Sequence, residues 1–369
     1  MGNVRVGVVG AGLVGIASAV RLASKGVDTA FVESGAEGVD GLHQAIPATS
    51  KPLPQELQQG QAGGVPTSPL VDVVMVTYGR ADLVRRSLSS LLTSSPAGAL
   101  RVTVVDNNSP DNTPDVVAAE FPQVRLLRRT DNPGFAVSNN QALALTTAPV
   151  VLLLNPDTEA RWPTIEHLID QLTNDASIGM IGCRLLLDDG SFDHAAKRSI
   201  PNPFQALQYF TSRALGRKDG NYVANNVAET GVGDVDALNG AFMLVTRQAL
   251  GTVGGLDERY WMYAEDLDWC VRFRDAGWRV VYDGRVTALH VKGASSGKRR
   301  SLRLNYHFHR SMAIFYRRHL GPTNRGAFNV SVIVAIWGRF VLVQMTTLTI
   351  NAVAKLRTIG SRNRSAGWA

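Results

Sequence analysis

Apolar positions run along this chain in two rhythms. Val71 to Tyr78 is a near-continuous β-rich run, the pattern of a strand buried on both faces. "ADLVRRSLSSLLTS" then spaces Leu83, Leu88, Leu91 and Leu92 as one stripe of a helix. "LRVTVVDNNSPDNT" predicts a second strand ending in a polar cluster, "AEFPQVRLLRRTDNPGF" holds a third, and "APVVLLLNPDTE" a fourth. Strands alternating with helices predict an α/β architecture, a mostly parallel sheet flanked by helices. Ligands of such sheets sit beyond the carboxyl ends of the strands, and every polar cluster named here falls at such an end.

Outside this region the pattern changes. Residues 1–36 read as strand, glycine turn, helix and strand, a Rossmann-like βαβ fragment. Its Gly10, Gly12 and Gly15 fit G-x-G-x-x-G, and Glu33 stands where a ribose-binding carboxylate would lie. Residues 37–68 are rich in Gly, Pro, Gln and Ser and read as a linker, too early for the fragment to complete a dinucleotide domain. The main domain is expected over 69–297 and a basic helical extension over 298–369. "RLNYHFHRSMAIFYRRHLG" predicts a basic amphipathic helix, and the long apolar stretch after it is divided by Arg339, which favours interfacial or monotopic attachment over a clean span.

Charge sharpens that division. From Lys298 to Ala369 there are 13 Lys or Arg and no Asp or Glu, against chain totals of 38 and 31, so the rest of the chain is net acidic. A basic tail mixed with apolar residues points to an anionic membrane surface and not to nucleic acid. Only Cys183 and Cys270 occur, so no disulfide framework is expected and a reducing, cytoplasmic setting follows, at the membrane's inner face or free of it.

The candidate chemistry lies in the strand-end clusters. Asp106, Asn107 and Asn108 follow one strand and Asn155 and Asp157 another; carboxylates converging on one cleft repel unless a cation or donor sits between them. A diphosphate bound through Mg²⁺ or Mn²⁺ meets that need, while a plain Asn-Pro-Asp turn capping the next helix accounts for the second cluster equally well. Further along, Asn139 and Asn140 open a helix after Gly134, and Asn239 and Gly240 interrupt a strand. Glu265, Asp266 and Asp268 stand among aromatics before an amphipathic helix, and His290 ends a strand beside Lys292. Asp268 fits best as a solvated acid at a helix N-terminus.

Taken in order, "VVMVTYGR", "VVDNNSPDNT", "NPGFAVSNN", "LLLNPDTE", "NGAFMLV", "LDERYWMYAEDLDWCVR" and "ALHVKGASS" resemble the family 2 inverting glycosyltransferases of the GT-A fold, near their rhamnosyltransferase-like members. The resemblance implies an enzyme moving a sugar, L-rhamnose first among candidates, from a dTDP- or UDP-linked donor onto a lipid-linked or polysaccharide acceptor. It places Thr77, Tyr78, Asp106, Asn108, Asn139, Asn155 and Lys292 on the nucleotide sugar, Asp157 and His290 on the metal, and Asn239, Gly240, Trp261 and Tyr263 around the sugar or acceptor. It makes Asp266 the catalytic base, with Glu265 as the alternative. Asn155 departs from the family's D-x-D motif, leaving one carboxylate there. An oxidoreductase built on the N-terminal glycines, and a non-catalytic nucleotide-sugar binder, are the rival readings.

Overall fold

The run from Val71 to Thr77 forms β1, buried at all seven positions, in a computed structural model that describes residues 69–200, 226–291, 301–324 and 326–365, with side chains through 347. The N-terminal glycine fingerprint, the linker and Lys292 lie outside the described residues. After β1 come α1 (Ala81–Ser94), β2 (Leu100–Asp106), α2 (Thr113–Glu120), β3 (Arg125–Arg128), α3 (Phe135–Leu143) and β4 (Val150–Leu154). Leu83, Leu88 and Leu91 are the buried stripe of α1, with Val84 added.

β3, β2, β1 and β4 are neighbours in that order and all parallel, so their carboxyl ends, with the clusters after Thr77, Asp106 and Leu154, open on one side. Beyond β4 the sheet departs from the parallel expectation. β10 (Phe242–Thr246) runs antiparallel between β4 and β6 (Ile178–Leu186), and β6 pairs in parallel with β11 (Arg279–His290). The sheet is therefore mixed. Alternation of strand and helix predicts parallel pairing only where helices make the crossovers, and from Val232 to Phe242 the chain enters β10 through short strands and turns with no helix between.

β5 (Thr158–Glu159) closes the far edge against β11, with His290 opposite Thr158. α4 (Trp162–Asn174), α5 (Arg247–Val253) and α6 (Glu265–Asp275) flank the sheet, and β8 (Val232–Asp234) extends it beside β11. β7 (Lys197–Arg198) and β9 (Ala237–Leu238) make a separate two-stranded ladder. The core between these layers is filled by Met75, Leu152, Leu153, Phe242, Trp269 and Phe273.

β1 also carries a charge that its apolar pattern hides. Asp72 is buried, and it is held by Arg101 at 2.6 Å and by the amides of Thr147 and Ala148 at 2.5 and 2.7 Å. A buried carboxylate is tolerated only when its lone pairs are met in this way.

The C-terminal extension is helical, as its pattern predicts. α7 (Leu302–Phe315) runs on through a π-helical turn, Tyr316–Leu320, and α8 spans Gly326–Ser365. One side of α8 packs on α7 through Tyr306, Trp337 and Ile336, while Val330, Val334, Val341, Leu342 and Met345 stand bare.

Candidate active site

Backbone strain marks the cleft. Among the described residues four non-glycine positions have positive φ: Arg80 (66°) after β1, Asn108 (60°) after β2, and Tyr263 (72°) and Ala264 (65°) leading into α6. Each such conformation costs an L-residue roughly 1–2 kcal/mol, and such costs collect where a site dictates the backbone.

The first two turns are latched together. The Gly79 amide donates to Ser109 Oγ at 2.6 Å, the Arg80 amide donates to Asp111 at 2.8 Å, and Ser109 Oγ donates in turn to buried Asp106. Thr77 spends its hydroxyl on the Gly79 carbonyl at 3.2 Å. Tyr78 is 55% exposed and Asn108 is exposed, so both present free side chains at the rim. Asn139 turns inward, donating to the Phe135 carbonyl within α3 at 2.9 Å.

At the end of β4, Thr158 donates its amide to the Asn155 carbonyl and closes a turn, and the Val291 amide donates to the Asp157 carbonyl. This β5–β11 pairing brings His290 Nε2 to 3.7 Å from Asp157 Oδ1. His290 Nδ1 lies 2.9 Å from Asp193, a buried acid in a stretch with no periodic pattern to flag it. Burial raises the Asp157 carboxyl above its ordinary range, opposed by His290 and Arg80. Asp157 Oδ1 and Asn155 Oδ1 are buried without a hydrogen-bond donor. Such orphaned oxygens beside an oriented imidazole suit a divalent cation. Among the described residues no three His, Cys, Asp or Glu are grouped to hold an ion by themselves.

The second half of the site is built on α6. Asp266 Oδ2 accepts from Arg198 at 2.6 Å and from the Gly240 amide at 3.1 Å, while Oδ1 accepts from the Leu267 amide at 2.8 Å. Arg198 also donates to the Leu238 carbonyl, so the β7–β9 ladder fixes the guanidinium against the acid. The sequence signal for Arg198 is absent: it becomes visible only through that ladder. Asn239 caps its own turn by accepting from Ala241 at 2.9 Å. Trp261 and Tyr263 line the approach to α6. Trp261 is pinned by Phe135, whose amide donates to its carbonyl at 2.8 Å, and by Gly134, where a Cβ would fall 2.3 Å from that oxygen.

Glu265 beside it is buried, with Oε2 unpartnered, and burial together with the neighbouring Asp266 pushes its carboxyl up to about 8. Between pH 4.5 and about 8 the folded chain thus keeps a proton that the unfolded chain has released, and stability falls as pH rises through that window. Glu265→Gln removes the dependence. Thermal unfolding of the variant is expected to match wild type near pH 5 and to shift to progressively higher Tm toward pH 9; parallel profiles across that range would overturn the assignment.

Asp268 corrects the expectation of a solvated acid. It is 0% exposed, and it pairs with Arg272 at 2.8 Å, His319 at 2.7 Å and Arg318 at 3.2 Å, because α7 and its π-helical turn fold back over it.

Over 276 residues the chain is 31% identical to the N-acetylglucosaminyl-diphospho-decaprenol L-rhamnosyltransferase of Mycobacterium tuberculosis, covering 68% of this chain and 86% of that protein. The chain belongs to glycosyl transferase family 2. The model of that family matches residues 72–226 directly. The family 2 chain is also 26% identical over 232 residues to an O-antigen biosynthesis protein of Myxococcus xanthus, covering 62% of this chain and 18% of the other. A mannosyltransferase of Pyrobaculum calidifontis, solved with GDP-mannose and Mn²⁺, is similar over 83% of this chain and 85% of its own, with 18% identity and a TM-score of 0.48. The fold is GT-A and the protein is a glycosyltransferase. Cys183 and Cys270 are both buried thiols with no partner cysteine.

Proposed function

We propose that this glycosyltransferase moves L-rhamnose from a dTDP-linked donor to a sugar carried on a lipid diphosphate, by single displacement with inversion. The observation that carries the reaction is the clamp on Asp266. A carboxylate offers about four lone-pair sites; Arg198 and Gly240 take both of those on Oδ2, and Leu267 takes one on Oδ1. The remaining Oδ1 site accepts the proton of the acceptor hydroxyl. The hydroxyl oxygen then bonds to the anomeric carbon as the bond to the diphosphate oxygen breaks on the opposite face, with its electron pair leaving on the diphosphate. Glu265 retains its proton at neutral pH, which supports Asp266 and not Glu265 as the base.

Asp157 and His290 would hold a divalent cation, with Asp193 orienting the imidazole. That cation, Mg²⁺ or Mn²⁺, would offset charge gathering on the departing diphosphate. Tyr78 and Asp106 would receive base and ribose. The sugar and the acceptor rest on the mycobacterial relative's name, and the dTDP carrier on the resemblance of the sequence motifs to rhamnosyltransferase-like members of the family. Attachment to the inner membrane surface is supported by the apolar stretch Gly326–Thr347, mean hydropathy 1.8 and only 6% buried, within a tail of cations.

Incubating the purified chain with Mn²⁺ or Mg²⁺ and a panel of dTDP-, UDP- and GDP-sugars, with and without a lipid-linked N-acetylglucosamine acceptor, tests this. Nucleoside diphosphate release is expected from dTDP-rhamnose and to depend on both metal and acceptor. Release from another donor alone would overturn the donor assignment, and release indifferent to EDTA would overturn the metal.

A further inference from the structure

The outer face of the Trp261 loop holds cations that the transfer reaction described above leaves unused. His307 stacks on the Trp261 ring at 4.3 Å and 29°, and the Arg303 guanidinium carbon lies 4.7 Å from the ring centroid. Arg310, one turn further along α7, donates to the Arg259 carbonyl at 2.5 Å. Arg303 and Arg310 have no carboxylate partner among the described residues, whereas Arg318 on the same segment is taken by Asp257 and Asp268. His307 Nδ1 is buried without a hydrogen-bond partner. The positive field is unbalanced: burial first, then Arg303 and Arg310, depress the His307 imidazole.

Position gives this patch a use. Four residues after Trp261 the chain enters α6 with Glu265 and Asp266, and on its other side α7 carries α8, whose bare apolar face suits lipid. α7 therefore lies between the base and the proposed membrane surface. An acceptor sugar at Asp266 whose lipid chain lies in that surface has its diphosphate crossing α7.

We propose that Arg303, His307 and Arg310 form a subsite for the diphosphate of a lipid-linked acceptor, separate from the donor's diphosphate at Asp157. The proposal rests on the acceptor reading above. Arg303 supplies a planar pair of donors to phosphate oxygens while its rear face rests on the Trp261 ring, and His307, stacked on the same ring, holds that platform in place.

Isothermal titration of the full chain with farnesyl diphosphate, farnesol and dTDP, repeated on Arg303→Gln and His307→Gln, tests it. Arg303 is exposed, so its loss leaves the fold intact. Arg303→Gln is expected to weaken farnesyl diphosphate about tenfold, His307→Gln less, with farnesol and dTDP affinities unchanged. Unchanged farnesyl diphosphate affinity in both variants would overturn the subsite. So would an equal loss of binding to vesicles of phosphatidylcholine with 30% phosphatidylglycerol, since the cations would then serve lipid headgroups. Product formation by wild type from dTDP-rhamnose and the lipid-linked acceptor is scored separately: its absence fails the proposed reaction, while the titrations still decide the anion site.

Discussion

Asp266→Asn is expected to lower kcat by about 10²–10⁴, the usual worth of a positioned general base, with dTDP affinity near wild type and a lowered Tm, because the buried pair with Arg198 loses one charge. Asparagine keeps the side chain's shape and still accepts from Arg198 or Gly240 through its oxygen, so the clamp survives in part. What it lacks is a second anionic oxygen to take the hydroxyl proton. Glu265 is a poor substitute: burial, the largest cause of its raised carboxyl, persists in the variant, and only the smaller contribution of the Asp266 charge is lost. Single-turnover transfer with saturating acceptor isolates the chemical step. A kcat within about threefold of wild type would remove Asp266 from that role, since a lost base is worth far more.

Asp157→Asn carries the second large effect. The native oxygen is buried, without a donor, and 3.7 Å from the His290 imidazole. An amide there has the same volume but no charge to offer a cation, so metal-dependent dTDP affinity is expected to fall and kcat/KM to drop by about 10²–10³, the scale of losing one electrostatic contact to developing charge. Removing the burial cost of the carboxylate should leave Tm unchanged or raised. Asp193→Asn, which loosens the imidazole without removing a ligand, is expected to cost about tenfold. The measurement is a dTDP titration with Mn²⁺ and again with EDTA. Identical metal dependence in wild type and Asp157→Asn would place the cation elsewhere.

The site was unevenly legible along the chain. Asp157 and His290 stand at the ends of strongly patterned strands and Asp266 at the start of an amphipathic helix, so their placement could be anticipated. Asp193 and Arg198 lie in a segment with neither helical nor alternating rhythm, and nothing local says that one orients His290 and the other clamps Asp266. Asp268 is illegible for a related reason: position at a helix start suggests solvent, but the residues that cover it, His319 and Arg318, arrive about fifty positions later.

Local pattern determined what depends on near neighbours: the buried strands β1, β2 and β4, the stripe of α1, the polar clusters at strand ends, and the basic helical tail. Periodicity reports which faces are apolar, and burial of those faces is the dominant favourable term in folding. Tertiary structure alone decided the antiparallel insertion of β10, the Asp193–His290–Asp157 line, the Arg198–Asp266 clamp and the raised carboxyl of Glu265. Each of these joins groups far apart in sequence, or depends on how completely water is excluded from one side chain, and no single stretch of residues encodes either.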